Sequence, residues 1–200
     1  MMIIDRSTQS DVVRLAEIHH IALPDDFLPS LGRDFLERIY YPAAMRSARA
    51  VTLTARDQGQ VVGFVTIAHD SAQYTRDVIS KSWIALGLYA LRAAILHPSS
   101  IWKSMEVLQA ALFSKPDPIQ SEIVFIAVDP VCQGQGIGTR MVRSALEYLA
   151  QMSIYQCRTK TLARNEKVIR MYERLGWHVR DQFSLLGNQY VTIVLLNRDA

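Results

Sequence analysis

The sequence predicts a mixed α/β fold in one domain, and three features carry that prediction. The apolar, β-branched run at 121–128 indicates a buried strand, and a glycine-rich loop and a helical pattern follow it directly. Segments of strand length and helix length alternate along the rest of the chain. Turn residues at 57–60 and at Gly187-Asn188 are typical of β-hairpins. With 200 residues, we expect one domain over 1–200.

Short apolar and β-branched runs between turn residues predict the strands. These runs lie at 2–5, 50–55, 61–68, 121–128, 155–162, 178–185 and 189–196. We expect the second and third strands to pair across Asp57-Gln58-Gly59-Gln60. The last two strands should pair across Gly187-Asn188.

Apolar residues at helical spacing predict the helices, and caps and breakers mark their ends. The helical segments lie at 12–23, 31–41, 136–151 and 166–175. The residues expected to bound them are polar caps or helix breakers: Ser7, Thr8, Ser10, Pro24, Pro29, Pro42 and Gly176.

Residues 129–139 form the most informative motif. Asp129-Pro130 ends the buried strand with turn chemistry, and Gly134, Gly136 and Gly138 alternate before the next helix. Glycines let the backbone approach a ligand closely, and the first N–H groups of a helix point at it unpaired. The helix N-terminus carries about half a positive charge, which favours an anion. The motif therefore predicts a phosphate-binding loop, with a simple tight turn as the alternative.

Two familiar phosphate-binding loops do not fit this spacing. A P-loop needs a lysine and then a serine or threonine after its last glycine, and Gly138 is not followed in that way. A dinucleotide-binding fingerprint needs its third glycine one position later, in an opening βαβ unit. Here the motif lies two-thirds of the way along the chain.

The spacing that does fit is Gln/Arg-x-x-Gly-x-Gly/Ala, present as Gln133-Gly134-Gln135-Gly136-Ile137-Gly138. At this point the chain resembles the GNAT superfamily of acyl-CoA-dependent N-acetyltransferases. A second segment, Asn165 and then Tyr172-Glu173-Arg174-Leu175-Gly176-Trp177, is similar to the family's Asn-x-x-Ala-x-x-x-Tyr-x-x-x-Gly-Phe, with Val168 and Trp177 as replacements. The resemblance implies a mixed, mostly antiparallel central sheet of six to seven strands flanked by helices.

The resemblance also implies that acetyl-CoA is the acyl donor. The central strand would line its pantetheine arm, and main-chain N–H groups of the glycine loop would hold its pyrophosphate. Tyr172 would protonate the leaving sulfur, because a phenol with a pKa of about 10 keeps its proton at neutral pH; a core tyrosine is the alternative. The residues expected to contact acetyl-CoA are Ile126, Ala127, Val128, Gln133, Gly134, Gln135, Gly136, Ile137, Gly138, Thr139, Asn165 and Tyr172.

Glu122 is the candidate general base. A lysine-like amine with a pKa of about 10.4 is mostly protonated at neutral pH, so a proton acceptor would help. Histone-acetylating members of the family carry a glutamate in a similar stretch, here Glu122-Ile123-Val124-Phe125-Ile126-Ala127-Val128. On the central strand we expect this carboxylate to face the cleft, where partial desolvation would raise its pKa. The alternatives are a solvated glutamate at the strand edge and a salt-bridge partner. His69 and Asp70 are reserve candidates, with a turn role as their alternative.

Residues 70–118 form an insertion between the third and fourth strands of the family's order. A helix apolar on nearly all sides is predicted from Ile79 to Leu96, Pro98 stops it, and Ile101–Phe113 continues helically. Arg92, His97 and Pro98 interrupt it too early for a membrane span. Three interpretations remain: a helical hairpin packed on the domain or on a second subunit, a peripheral membrane element through 79–113, or a lid over the acceptor pocket.

Composition limits the other partners. A formal net charge of +3 without a basic cluster predicts no nucleic-acid binding, and no Cys/His spacing suits a metal. Cys132 and Cys157 fit a reducing compartment, and the N-terminus lacks a signal-peptide pattern, so we expect a cytoplasmic protein. A homodimer is a further expectation.

The acceptor is indicated only by a weaker likeness. Residues 27–36 and the apolar insertion resemble GNAT members of bacterial polysaccharide and amino-sugar assembly. That likeness implies a nucleotide-linked amino sugar as the acceptor. A protein or another small-molecule amine is an alternative, and so is a non-catalytic acyl-CoA sensor.

Overall fold

The computed structural model describes residues 2–96, 117–185 and 187–196. Seven strands form one sheet in the spatial order β1-β2-β3-β4-β5-β7-β6. In chain order they are β1 Ile3–Arg6, β2 Ala50–Asp57, β3 Gln60–Ala68, β4 Glu122–Val128, β5 Cys157–Leu162, β6 His178–Leu185 and β7 Asn188–Leu195. Each predicted strand is confirmed, with its ends shifted by at most two residues.

The strand pairing follows the predicted hairpins. β2 and β3 pair antiparallel across a two-residue turn in which Gln58 (φ 49°) and Gly59 (φ 82°) both lie in the left-handed region. Such a turn matches the twist of the flanking strands. β6 and β7 form the second antiparallel hairpin, and β4 and β5 pair parallel. The predicted mixed, mostly antiparallel sheet is therefore confirmed.

Helices cover both faces of this sheet. They are α1 Val12–Ala22, α2 Phe27–Ser30, α3 Arg33–Phe35, α4 Tyr41–Met45, α5 Ser71–Leu96, α6 Ile137–Ala150 and α7 Glu166–Arg174. On one face, α6 and Tyr172 of α7 pack on side chains of β2 to β5, including Val65 and Ile67. On the other face, α1 and residues 35–44 pack on the alternate side chains, including Phe64 and Ala68. This alternation is the period-two pattern of a strand buried on both faces.

Two prolines do not break helices as expected. Pro29 lies inside α2, and Pro42 lies in the first turn of α4 rather than after a helix end. The backbone runs from α3 through a π-helical turn, Leu36–Tyr40, into α4. Proline is tolerated in a first helical turn because its missing N–H would have no partner there. The predicted end of this helix at Pro42 is therefore wrong.

The insertion begins with a longer helix than the sequence predicts. α5 starts at Ser71, because the Asp70 carboxylate accepts the Gln73 N–H at 3.0 Å and caps the first turn. Its first turns pack on the same chain: the Tyr74 and Tyr40 hydroxyls are 2.8 Å apart, and Lys81 donates to the Arg46 carbonyl at 3.0 Å. The stop at Pro98 and the helix predicted at 101–113 lie outside the described residues.

None of the helices within the described ranges is long and apolar enough to cross a membrane. The expected peripheral membrane contact through 79–113 and the expected homodimer stay predictions.

Candidate active site

β4 and β5 separate within the sheet and leave an opening. Their parallel pairing covers Glu122 with Arg158 and Ile123 with Thr159. The Thr159 hydroxyl donates to the Ile123 carbonyl at 2.9 Å and closes this end. Beyond it, β4 remains paired with β3 while β5 remains paired with β7. The split therefore leaves one edge of β4 able to hydrogen-bond to an extended ligand, as another strand would.

A cavity of about 150 Å³ lies at this split. Its walls come from the separating strands, from the start of α7, and from the loop that follows α1. The lining side chains used below are Asp25, Asp26, Phe125, Ile126, Lys160, Asn165, Tyr172 and Tyr190. Apolar walls with a few polar groups are typical of small-molecule sites.

The glycine loop lies between the end of β4 and the start of α6. Gly134 (φ 80°) and Gly136 (φ 75°) both adopt left-handed backbone, which side chains other than glycine rarely adopt. Among the described residues, no heavy atom lies within 4 Å of where a Cβ on either glycine would be. The first hydrogen bond of α6 runs from the Arg140 N–H to the Gly136 carbonyl at 3.1 Å. The amides of Ile137, Gly138 and Thr139 therefore lie ahead of the helical ladder and can serve an anion.

Asp129 and Gln133 fix the start of this loop. The Asp129 carboxylate accepts the Val131 N–H at 3.0 Å and forms an ion pair with Arg14 of α1. The Gln133 side chain turns back and donates to the Val128 carbonyl at 3.1 Å. Its own N–H makes a long turn contact of 3.4 Å to Pro130. Gln133 thus shapes the loop, and the amides that remain for a ligand begin after it.

Tyr172 forms part of the cavity wall and is 1% exposed. Its ring packs on Trp177, with centroids 4.9 Å apart. The hydroxyl is buried and makes no hydrogen bond of normal geometry with any described residue. Burial raises the pKa of Tyr172, and the nearby Thr159 hydroxyl opposes this rise only in part. The phenol therefore keeps its proton at neutral pH and makes no hydrogen bond of normal geometry within the described residues.

Asn165 occupies the N-cap position of α7, as its place in the sequence predicts. Its backbone carbonyl accepts the N–H groups of Val168 and Ile169 at 3.0 and 3.1 Å. Its side chain makes no capping hydrogen bond and lines the cavity instead. The amide group is therefore available to a ligand.

Glu122 lies at the closed end of the split and is not among the cavity-lining residues. It is 9% exposed. Its carboxylate accepts hydrogen bonds from the Arg158 guanidinium at 2.9 and 2.8 Å, and Lys160 lies 3.6 Å away. Arg158 and Lys160 hold this carboxylate in ion pairs, which fits the salt-bridge alternative for Glu122. Its role as general base stays a prediction, and the geometry gives it no support.

The reserve candidates are also outside the cavity lining. Asp70 caps α5, as described above. The His69 backbone N–H donates to the Arg49 carbonyl at 3.0 Å. The turn interpretation of these two residues fits this geometry.

Sequence reasoning missed the two carboxylates that do line the cavity, Asp25 and Asp26. Asp25 forms an ion pair with Arg164 at 2.7 Å. Burial raises the pKa of Asp26 to about 6, and the adjacent Asp25 charge adds to the rise. Their signal in the sequence is two adjacent acids after a predicted helix and Pro24, which alone does not distinguish a site from a solvated loop.

No cluster of three or more His, Cys, Asp or Glu side chains among the described residues could hold a metal ion. The residues present do fit acetyl-CoA. Within the described residues, unused amides lie at the α6 N-terminus and a β4 edge is free in the split. A buried phenol that has no hydrogen-bond partner of normal geometry among these residues lines the wall.

The sequence model of the acetyltransferase (GNAT) family matches residues 13–177. No curated protein sequence matches the chain. Several solved structures share its fold. A ribosomal-protein-alanine N-acetyltransferase from Brucella melitensis has a TM-score of 0.65 at 14% identity, with 98% of this chain and 99% of that chain covered.

Two further structures are similar at this level. A putative acetyltransferase from Salmonella typhimurium, solved with acetyl-CoA, has a TM-score of 0.63 at 13% identity, covering 100% of this chain and 95% of that one. A spermidine N-acetyltransferase chimera from Vibrio cholerae also has a TM-score of 0.63 at 13% identity, with coverage of 98% and 95%. At these identities the likeness shows the fold.

Proposed function

This chain belongs to the acetyltransferase (GNAT) family, whose members are acyl-CoA-dependent transferases, and on that premise we propose the reaction of its cavity. The enzyme transfers the acetyl group of acetyl-CoA to a primary amine, by direct attack within a ternary complex. The observation that carries this proposal is the split between β4 and β5. The Tyr172 hydroxyl, which makes no hydrogen bond of normal geometry with any described residue, lies in its wall.

Acetyl-CoA would be held at two places. Its pyrophosphate would accept hydrogen bonds from the amides between Gly134 and Thr139, at the positive end of α6. Its pantetheine arm would pair with the free edge of β4 at Ile126, Ala127 and Val128. The Asn165 side chain, which makes no capping bond, would contact the same arm. When bound, acetyl-CoA supplies a thioester next to Tyr172.

Tyr172 would supply the proton that the departing sulfur needs. Burial keeps its phenol protonated. A thiol has a pKa of about 8.5, below that of the phenol, so the hydroxyl first stabilises the departing thiolate by donating a hydrogen bond, and the proton follows as the phenol is reprotonated. The hydroxyl makes no hydrogen bond of normal geometry within the described part of the chain, and so is free to point at a ligand.

The acceptor would reach the thioester from the side of Asp25 and Asp26. Two carboxylates favour an acceptor that carries positive charge, so we propose a cationic primary amine. An amino sugar remains the first acceptor to test. The diphosphate of a nucleotide-linked amino sugar would have to point away from these two acids. Alanine-terminated peptides and spermidine are further tests, because similar folds include enzymes named for such acceptors.

The test is a thiol-release assay with acetyl-CoA and one amine at a time: glucosamine, a nucleotide-linked amino sugar, spermidine, lysine and an alanine-terminated peptide. Calorimetry with acetyl-CoA alone runs in parallel. Binding together with release of thiol and acetylated product supports the proposal. If acetyl-CoA binds but none of the five amines is acetylated, the result favours the non-catalytic acyl-CoA sensor. If acetyl-CoA does not bind, both the transferase and the sensor proposals are overturned.

A further inference from the structure

We propose that Asp26 is the catalytic proton acceptor for the incoming amine and the group that selects a cationic acceptor. This proposal rests on the proposed function, because it takes the cavity at the β4–β5 split as the site of acetyl transfer. It replaces the expectation that Glu122 has this role.

Asp26 lies in the wall of the cavity. It follows α1 in the loop that precedes α2, and its side chain lines the cavity together with Phe125, Tyr172 and Tyr190. The residue is half-buried. Its charge helps to raise the pKa of Tyr190, after the larger effect of burial, so the two groups are close in space. A proton acceptor must lie beside the reacting amine, and Asp26 is a cavity-lining carboxylate.

The Asp26 carboxylate has no side-chain partner among the described residues. Asp26 makes no side-chain hydrogen bond or ion pair with any residue in the described ranges, and it does not cap α2. Asp25 differs, because Arg164 binds its carboxylate at 2.7 Å and also reaches Asn188 at 3.3 Å. The Asp25 carboxylate therefore joins the loop after α1 to the segment before α7, while the Asp26 carboxylate remains free for a ligand.

Several charged and titratable groups surround Asp26. Asp25 is on the same loop, Lys160 lies on β5, Arg164 precedes α7, Tyr172 lies on α7 and Tyr190 lies on β7. Lys160 lies 3.6 Å from Glu122, and Arg164 is paired with Asp25. Burial and the Asp25 charge raise the pKa of Asp26 to about 6. At neutral pH the group is ionised, yet it is a stronger base than an exposed aspartate.

The transfer step then balances. The acceptor first loses its ammonium proton to solvent, next to the Asp26 carboxylate. The neutral amine nitrogen attacks the thioester carbon, a C–N bond forms and the C–S bond breaks. The second proton on nitrogen passes to Asp26, and Tyr172 donates its proton to the departing thiolate. Asp26 returns its proton to the Tyr172 phenolate through solvent, so one proton is released in each turnover.

The experiment compares the native chain with Asp26→Asn and with the matched control Asp25→Asn. Each protein is first tested for acetyl-CoA binding by calorimetry, which reports a folded donor site. Thiol release is then measured from pH 5 to 9 with spermidine, glucosamine and an alanine-terminated peptide, and kcat/KM for the amine is plotted against pH.

Two slopes are expected for the native protein. Because the neutral fraction of the amine rises with pH, log kcat/KM should rise with a slope of about one per pH unit. Below about pH 6 the ionisation of Asp26 should raise this slope to about two. Asp26→Asn should bind acetyl-CoA normally, lose about 10²-fold or more in kcat/KM at neutral pH, and keep the single slope throughout. Asp25→Asn should keep two slopes, with the break at lower pH, because it removes a negative charge next to Asp26.

The outcomes separate the two proposals. If the native protein acetylates an amine but Asp26→Asn has the same rate and the same two slopes, the role of Asp26 is overturned and the proposed function stands. If the native protein acetylates none of the five amines tested for the proposed function, the proposed function fails, and the role of Asp26 fails with it.

Discussion

The two ends of the β4–β5 split carry carboxylates in opposite situations. At the closed end, Arg158 binds Glu122 with two hydrogen bonds, and Lys160 lies beside it. At the open end, Asp26 lines the cavity and its side chain has no partner within the described residues. Both are carboxylates that are not fully exposed. This contrast shows that burial alone does not identify a catalytic base, because a base also needs a free lone pair that faces the reactants.

The closed end has a structural role. The Arg158 guanidinium binds the Glu122 carboxylate, the Ser71 hydroxyl at 2.7 Å and the Asp117 carboxylate. Arg180 binds Asp117 as well, at 2.6 Å. Burial would raise the pKa of Asp117, but the hydrogen bonds from Arg180 and the charge of Arg158 outweigh it and hold this pKa well below its usual range. Since Ser71 and Asp117 lie at the two ends of the insertion, Arg158 fixes both ends against the sheet.

The largest expected effect tests whether the open end is a reaction site. Tyr172→Phe removes only the buried hydroxyl, so acetyl-CoA affinity should persist while kcat falls by about 10²- to 10⁴-fold. An assay of thiol release measures kcat, and calorimetry measures the affinity for acetyl-CoA. Tyr148→Phe is the control, because that ring lies on α6 against Arg6 and outside the cavity lining. An unaltered kcat for Tyr172→Phe would remove the leaving-group acid from the open end.

The next effect tests the closed end. Arg158→Met removes the guanidinium that binds the buried Glu122 carboxylate, and Asp117 loses one of its two arginine partners. We therefore expect a loss of about 3–5 kcal/mol in the free energy of unfolding. Urea denaturation measures this loss. Arg170→Met removes an exposed i,i+4 pair with Glu166 and should cost about 0.5 kcal/mol or less. Similar losses for the two variants would mean that Arg158 does not organise this end.

The comparison also explains which features the sequence could predict. The loop with Gly134 and Gly136, the strand before it and the motif around Tyr172 are local patterns, because periodicity and backbone conformation depend on neighbours along the chain. The partners of the acids are not local. Arg158 lies 36 positions from Glu122, and Arg164 lies 139 positions from Asp25. Only the folded sheet decides which carboxylate is paired and which is free.

The same limit explains the errors within the fold. Pro42 predicts a helix end from its own chemistry, but a π turn at Leu36–Tyr40 places it where its missing N–H has no consequence. Asn165 is a residue type that often caps a helix through its side chain, yet here that side chain lines the cavity and makes no capping hydrogen bond. Local preferences hold until a tertiary contact outweighs them.

A smaller effect concerns a third buried titratable group, which lies behind the cavity wall. The His19 ring is 4.6 Å from that of Phe125, and its Nδ1 lies 2.9 Å from the Tyr41 hydroxyl. Burial lowers the pKa of His19 to about 3, and the charge of His20 contributes. The unfolded chain binds a proton on this residue near pH 6.5, whereas the folded chain does not until about pH 3. The free energy of unfolding is therefore highest above about pH 6.5, and it decreases as the pH falls from about 6.5 to about 3.

This linkage predicts a loss of about 2 kcal/mol in the free energy of unfolding at pH 5 relative to pH 8. His19→Gln should remove most of that pH dependence, whatever its cost at pH 8. The exposed His20→Gln is the matched control and should keep it. If urea midpoints of the native protein and of His19→Gln shift equally between the two pH values, a buried neutral His19 does not cause the loss.

The mildest change, at Glu122, tests directly which of the two carboxylates accepts the proton. Glu122→Gln keeps the shape of the side chain but replaces charge-assisted hydrogen bonds with neutral ones, so unfolding should become easier by about 1 kcal/mol. Asp117 still holds Arg158, which limits the loss. The pH dependence of kcat/KM should keep both slopes, because the free carboxylate at the open end is intact. Loss of the steeper slope in this variant, with unchanged stability, would reverse the assignment: the paired acid would be the proton acceptor, and the open end would only attract the amine.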